Sequence, residues 1–178
     1  MLEYLIGLES LINAGERKIT VTKLCRKSNK GLNDFNYRFK TMGEFITQVL
    51  EYELNNNLRA NTSEDFSRIF YNVLREIYNR KYYYHAVIGL LDTGHFEKRI
   101  EHKIKAYHKI EKIFMMEIEE YIKSTGVLRM RDVRGCASHI CSRIQVWWTH
   151  EFNEDPQTIY QELRSSLDIV EKAKREKY

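Results

Sequence analysis

The sequence predicts an all-α protein, and three observations support that expectation. Glycine and proline are scarce, with 8 and 1 occurrences in 178 residues, so few positions interrupt a helix. Apolar residues recur at intervals of three and four along almost the whole chain, which is the spacing of one helix face. No segment of useful length alternates apolar and polar residues as a half-buried strand does. Helices are short at the start and longer afterwards, which predicts two domains, residues 1–45 and 46–178.

The first four predicted helices each have a recognisable start or stop. The first carries an apolar leucine series and stops at Gly15, since glycine readily takes the left-handed conformation that ends a helix. Thr20 is placed to cap the second helix, which ends near Ser28. A third helix is expected from Gly31 to about residue 38, and Thr41 is placed to cap a fourth.

Five longer segments follow, and each is bounded by polar or helix-breaking residues. The sequence Ser63-Glu64-Asp65 combines a capping residue with two acids, which favours a helix start. The expected segments are a helix to about Asn79, an apolar stretch from Tyr82 to Leu91 broken at Asp92-Thr93-Gly94, a long helix from Phe96 to Ser124, a helix from Arg131 to Glu151, and a last helix opened by Asp155-Pro156.

Composition limits the broad class of protein. Hydrophobic residues make up 43% of the chain and charged residues 30%, with a formal net charge of +4, so a folded core is expected. No apolar run reaches the roughly 18 residues of a membrane span, and the start "MLEYLIGLES" lacks the basic region of a signal peptide. We expect a cytoplasmic protein without membrane contact. Cys25, Cys136 and Cys141 lie in apolar patterns, which favours buried, reduced thiols.

The segment from Lys18 to Thr41 predicts a helix-turn-helix. A capped helix, the four-residue break "SNKG" and a second short helix reproduce that arrangement, in which the second helix enters the major groove of DNA. Phe35 and Phe39 lie one turn apart and are expected to anchor the second helix to the core. Local charge agrees, because residues 1–45 hold eight Lys or Arg and five Asp or Glu.

A double-stranded DNA operator is therefore the expected partner. Amide and hydroxyl groups on the outward face can reach base edges, while lysine and tyrosine can contact phosphates. The predicted DNA-binding residues are Thr20, Thr22, Lys30, Gly31, Asn33, Asp34, Asn36, Tyr37 and Lys40. Two alternatives stay open from the residues alone: a structural three-helix subdomain with solvated charges, and a degenerate domain that binds a protein partner.

The stretch "NAGERKITVTKLCRKSNKGLNDFNYRFKTMGEF" resembles the DNA-binding domain of the TetR family over roughly residues 5–50. The matching positions are Gly15, Ile19, Thr20, Val21, Leu24, Cys25, Phe35, Phe39, Lys40 and Phe45. A later stretch, "SHICSRIQVWWTHEFNEDPQTIYQEL", resembles the last two helices of a Trp-rich branch of that family. The resemblance implies a homodimer formed by the last two helices, a ligand pocket among the intermediate helices and, by default, repression.

Several positions depart from the family pattern. The turn reads Ser28-Asn29-Lys30 where the family usually has Ala-Gly-Val, and Asn36 stands where a phosphate-contacting tyrosine is usual, next to Tyr37. Leu32 occupies a commonly polar or basic position, and we expect no basic arm before the first helix. These departures motivate the alternative of a TetR-like protein that works through a protein partner.

Candidate sites in the larger domain are aromatic. Residues expected to line a pocket for a small hydrophobic or aromatic effector are Tyr78, Tyr82, His85, Tyr107 and Trp147, although aromatics at helical spacing also form plain core. Adjacent tryptophans point about 100° apart on a helix, so one is expected in the core and the other at a contact surface. The predicted dimer interface is Ile144, Trp148, Ile159, Leu163 and Leu167.

The sequence gives no pattern for catalysis, metal binding or a cofactor. Asp92-Thr93-Gly94 matches the aspartic-protease triplet, but the second, facing aspartate loop that such a site needs is missing from the pattern. Cys136, His139 and Cys141 are spaced so that they do not converge on one point of a helix. We therefore expect neither an enzyme nor a metalloprotein.

Overall fold

A computed structural model describes residues 1–61, 65–122 and 129–175 of the chain. These residues form nine α-helices, one short 3-10 helix at Leu90–Asp92 and no strand, which confirms the all-α prediction. The helices are α1 (Leu2–Asn13), α2 (Val21–Lys27), α3 (Leu32–Phe39), α4 (Met42–Ala60), α5 (Phe66–Asn79), α6 (Lys81–Gly89), α7 (Phe96–Ile122), α8 (Met130–Thr149) and α9 (Pro156–Arg175).

The early helix boundaries fall where the capping residues predict them. Gly15 has φ 68° and follows the end of α1 in the left-handed conformation. The hydroxyl oxygen of Thr20 accepts a hydrogen bond from the Lys23 backbone N–H at 3.3 Å, and that of Thr41 accepts from the Glu44 N–H at 3.1 Å. Both threonines are therefore confirmed as N-caps of α2 and α4.

The later boundaries agree with the pattern to within a few residues. Asp65 stands in an extended conformation before α5, whereas the predicted signals at Ser63 and Glu64 lie outside the described residues, as does the predicted end of α7 at Ser124. Asp155 accepts from the Gln157 N–H at 2.7 Å at the start of α9, as expected of a cap.

The chain folds into two compact units. The first comprises Met1–Leu50 and Tyr82–Ala106, and the second comprises Glu51–Lys81 and Tyr107–Tyr178. The predicted first domain lies wholly in the first unit. That unit also contains α6 from Tyr82 onward and the beginning of α7, a segment that the sequence pattern assigned to the larger domain.

Four aromatic rings form the centre of the first unit. Tyr4 of α1, Phe35 and Phe39 of α3, and Phe45 of α4 are all buried. Ring centroids lie 5.3 Å apart for Tyr4 and Phe39, 5.1 Å for Phe35 and Phe39, and 4.9 Å for Phe39 and Phe45. These are edge-to-face or tilted contacts of the kind that aromatic rings prefer. The expectation that Phe35 and Phe39 anchor the third helix is confirmed.

A close contact joins α7 to the start of α4 within the first unit. The buried ring of His102 lies directly over Gly43, and a Cβ at position 43 would lie 2.2 Å from the ring Cγ. No side-chain carbon can stand at that distance. Glycine is therefore required at position 43 for the two helices to approach this closely.

The second unit has its own core, in which α9 packs against α5 and α8. Trp147 of α8 is completely buried, and its indole N–H donates to the Glu154 carbonyl at 3.0 Å. Glu171 of α9 is also buried and accepts from the Ser67 N–H at 2.8 Å and the Tyr121 hydroxyl at 3.0 Å. Every polar group named here therefore has a partner inside the unit.

The three cysteines are free and buried, as expected. Burial raises the pKa of the Cys141 thiol to about 12, so the reactive thiolate is disfavoured. In the described part of the chain, no helix combines the length and apolar character needed to cross a bilayer.

Candidate nucleic-acid interface

A tight turn of four residues joins α2 to α3. Ser28 ends α2, and Asn29 takes a left-handed conformation with φ 52°, which asparagine tolerates better than most residues. The Lys30 N–H then donates to the Cys25 carbonyl at 2.9 Å, and Gly31 is the extended residue from which α3 begins. The structure therefore has the two helices and the short turn that the sequence predicts.

The two faces of α3 differ sharply. Phe35 and Phe39 are buried in the aromatic centre, whereas Asn33, Asn36 and Tyr37 face solvent. Tyr37 is 89% exposed, which is unusual for a side chain with so much apolar surface. Positions 33, 36 and 37 recur at helical spacing and thus share one face. That face presents two carboxamides and one phenol.

Hydrogen bonds among Tyr4 of α1 and Asp34 and Arg38 of α3 hold the two helices together. The Tyr4 hydroxyl donates to one oxygen of Asp34 at 2.8 Å, and Nε of Arg38 donates to both Asp34 oxygens at 3.1 Å. The hydrogen bond from Tyr4, followed by that from Arg38, holds the pKa of Asp34 below its usual range. Burial, followed by the bond to Asp34, raises the pKa of Tyr4. Both carboxylate oxygens have partners, so Asp34 helps to hold α3 in place. The DNA contact predicted for Asp34 stays a prediction.

Ion pairs neutralise only part of the basic charge in residues 1–45. Lys23 pairs with Glu16 at 2.7 Å, Lys30 with Glu3 at 3.2 Å, and Arg38 with Asp34. The five basic residues that form no ion pair with any described residue are Arg17, Lys18, Arg26, Lys27 and Lys40. Four of these five were absent from the predicted site. The sequence feature that could have identified them is a basic pair near each end of α2, Arg17-Lys18 and Arg26-Lys27.

The remaining predicted contacts are placed around the two helices. Thr20 is half-buried as the cap of α2, Thr22 is exposed on α2, and Gly31 is exposed at the start of α3. Lys40 is exposed just after α3 with φ 57°. Lys30 is partly exposed beside Glu3, so its charge is shared with a partner. The DNA-binding roles of all these residues stay predictions.

The residues predicted to line an effector pocket fall in different units. Tyr82, which is 82% exposed, and His85 belong to the first unit. In the second unit the ring of Tyr78 lies parallel to Trp147 with centroids 6.4 Å apart, and Tyr107 stacks on Trp148 at 4.7 Å. Tyr78, Tyr107 and Trp147 thus each stack on another aromatic ring of the second unit. A pocket role for the five predicted residues stays a prediction.

The side chains predicted to form the dimer interface are buried inside the single chain. Ile159, Leu163 and Leu167 have no exposed surface, because they hold α9 against other helices of the same chain. Ile144 and Trp148 are also buried. In the single chain these five side chains are part of the core, and their role at a dimer interface stays a prediction. Sequence periodicity identified the apolar face of α9 but could not say which neighbour covers it.

Comparison with known proteins supports the fold. A solved structure of a protein described as a candidate transcriptional regulator from Rhodococcus sp. RHA1 superposes with a TM-score of 0.60. The similarity covers 97% of this chain and 96% of that one, at 11% sequence identity. At this identity the likeness concerns the fold. No family model matches the chain, and no curated protein matches it.

Proposed function

We propose that this chain is a sequence-specific DNA-binding transcriptional regulator, and that it acts as a homodimeric, ligand-responsive repressor of the TetR type. The observation that carries the proposal is the exposed face of α3. Asn33, Asn36 and Tyr37 project from a helix whose opposite face is fixed by the Phe35 and Phe39 rings. A rigid helix with carboxamides on its free face suits the major groove, where Asn pairs with adenine through two hydrogen bonds.

The uncompensated basic residues suit the phosphate backbone. Arg17 and Lys18 precede α2, while Arg26 and Lys27 end it. In a helix-turn-helix the first helix crosses the backbone while the second enters the groove, so cations at both ends of α2 face phosphates. Such contacts set affinity and register, whereas the α3 face sets sequence preference.

A second copy is proposed to dock on the outer faces of α8 and α9. Val146 of α8 and Ile169 of α9 are each 45% exposed, although both side chains are apolar. Each copy of such a dimer would contribute one α3 helix, and the two helices would read half-sites about one DNA turn or a multiple apart. A ligand that prefers one separation of the two reading helices would then regulate binding by shifting that equilibrium.

Binding of the purified protein to duplex DNA, measured by fluorescence anisotropy across a salt series, tests the proposal. The two duplexes are the DNA upstream of its own gene and a random sequence of equal length. We expect a preference of about a thousandfold or more for one site, together with a steep loss of affinity at high salt. Equal, weak and strongly salt-dependent binding to both duplexes would contradict sequence-specific control.

One observation favours a second candidate, a TetR-like protein that acts through a protein partner. Leu32, at the start of α3, is 49% exposed where a DNA-reading helix usually carries a polar residue. Exposed apolar groups such as this one suit a protein surface better than a phosphate backbone. Two results together would favour this candidate. The wild type would bind both duplexes equally and weakly, and a Leu32→Lys variant would bind DNA more tightly.

A further inference from the structure

The first unit contains a cavity of about 510 Å³ beside the start of α2. Its walls come from three segments of that unit: the loop before α2, the first residue of α4, and the break between α6 and α7. The volume is in the range that commonly accommodates a small organic molecule. Neither the predicted DNA face of α3 nor the predicted effector residues account for this cavity.

The cavity wall is positively charged. Arg17 and Lys18 line it, and neither forms an ion pair with a described residue. None of the described lining residues is acidic. The nearest acids in sequence are already neutralised, because Glu16 pairs with Lys23 at 2.7 Å and Asp92 pairs with Lys103 at 2.6 Å. The cavity therefore carries two cations that attract an anion.

The rest of the cavity is mainly apolar. Ile19 and Met42 are buried lining residues, and Val21 and Leu90 are half-buried ones. A bare inorganic anion would leave this apolar surface without a partner. A carboxylate or phosphate monoester attached to a small apolar body would satisfy both parts of the wall.

We propose that this cavity binds a small organic anion of that class and that the anion competes with DNA. The competition rests on the proposed function, because Thr20 lines the cavity and is also a predicted DNA contact. The two unpaired cations beside it are placed to contact phosphates. A bound anion would occupy the same positive charges that the DNA backbone needs. Regulation would then act directly at the helix-turn-helix formed by α2 and α3.

A substitution at Gly89 can fill the cavity without changing any residue of α2, the turn or α3. It lines the cavity at the end of α6, and a Cβ at this position would have no neighbour within 4 Å. Gly89 has an ordinary helical conformation, with φ −57° and ψ −25°, so other residues are tolerated there. Gly89→Leu should occupy the cavity, whereas Gly89→Ala should leave room for a ligand.

Isothermal titration calorimetry of the full chain without DNA tests the site. The probes are phenyl phosphate, benzoate, inorganic phosphate and neutral benzyl alcohol. We expect the two organic anions to bind at least about tenfold more tightly than the other two, because only they combine charge and apolar area. Gly89→Leu and the double variant Arg17→Ala/Lys18→Ala should each weaken binding of the organic anions by about tenfold or more. Gly89→Ala should not, and neither should Lys112→Ala, because Lys112 is an exposed lysine of α7 in the second unit that does not line the cavity. Equal binding of benzyl alcohol or of inorganic phosphate, or full binding by Gly89→Leu, would overturn the proposal.

Displacement of duplex DNA by phenyl phosphate tests the competition separately. At constant ionic strength we expect displacement from the wild type and from Gly89→Ala, but not from Gly89→Leu, which should still bind DNA with nearly the wild-type affinity. Equal displacement from all three would mean that the cavity plays no part. If no duplex binds at all, the proposed function fails, whereas the calorimetric result still decides whether the site exists.

Discussion

At the scale of single residues, the orientation of α3 depends on a few specific contacts. Tyr4 and Arg38 hold the two oxygens of Asp34, and the Phe35 and Phe39 rings lie beneath the same helix. Sequence reasoning found the two phenylalanines because their spacing is periodic. It could not find the contact of Asp34 with Tyr4, because a hydrogen bond between residues 4 and 34 leaves no trace in local periodicity. A DNA contact of Asp34 stays a prediction.

Asp34→Asn should lower the stability of the fold in a pH-dependent way. The carboxylate has a lower pKa in the folded chain than when unfolded, so its stabilisation is present above the unfolded pKa, near 4. It is lost as the pH falls through the lower, folded value. Urea unfolding between pH 7 and pH 3 should therefore show a deficit in the variant at neutral pH that shrinks below about pH 4.

Asp168→Asn provides the matched control, because Asp168 is exposed and its contact with Arg164 is a 3.9 Å surface ion pair. This variant should unfold like the wild type at neutral pH. If Asp34→Asn also matches the wild type at pH 7, the carboxylate does not hold α3 in place.

At the scale of helices, sequence patterns predicted existence and caps well and contacts poorly. Thr20, Thr41 and Asp155 act as caps because their short polar side chains reach nearby backbone N–H groups, which is a local property. The contact between Gly43 and His102 joins two segments that are far apart in the sequence, so local residue patterns could not predict it. The burial of Leu163 was predictable, but the helices that cover it were not.

Gly43→Ala should destabilise the chain by about 1–3 kcal/mol, because the new methyl group would overlap the His102 ring. Chemical denaturation measures the change. Gly89→Ala is the control, since its methyl group would enter open space and should be neutral or slightly stabilising. Adding His102→Ala to Gly43→Ala should cost less than the sum of the two single changes. Equal stability of the Gly43→Ala and Gly89→Ala variants would mean that the helices are not in this close contact.

At the scale of the whole molecule, the proposed regulator acts as two copies on one operator. Sequence resemblance implied the dimer and the helices that form it, whereas the interface side chains were predicted from the apolar positions of α8 and α9. An amphipathic pattern reveals its most apolar face first, and here that face is covered by the chain itself. Val146 and Ile169 lie on the outer faces, which periodicity does not single out, and a dimer contact there is a proposal.

Val146→Glu should separate the proposed dimer into monomers without unfolding them. The substitution buries a charge only when a second copy is docked. Sedimentation velocity should show a monomer, and circular dichroism should retain the helical signal. Met116→Glu is the control, because Met116 is an exposed apolar residue of α7. By contrast, Leu163→Ala should destabilise each chain by about 2–5 kcal/mol. A Val146→Glu protein that sediments like the wild type would rule out this face as the dimer contact.

The central claim is that the exposed face of α3 reads DNA, and one comparison tests it most directly. Tyr37→Ala and Tyr82→Ala each remove a highly exposed tyrosine from the first unit, at 89% and 82% exposure, but only Tyr37 lies on α3. Fluorescence anisotropy on the preferred duplex should show a loss of affinity of about tenfold or more for Tyr37→Ala, equivalent to about 1.4 kcal/mol, and almost none for Tyr82→Ala. Equal affinity for wild type and Tyr37→Ala would contradict the claim.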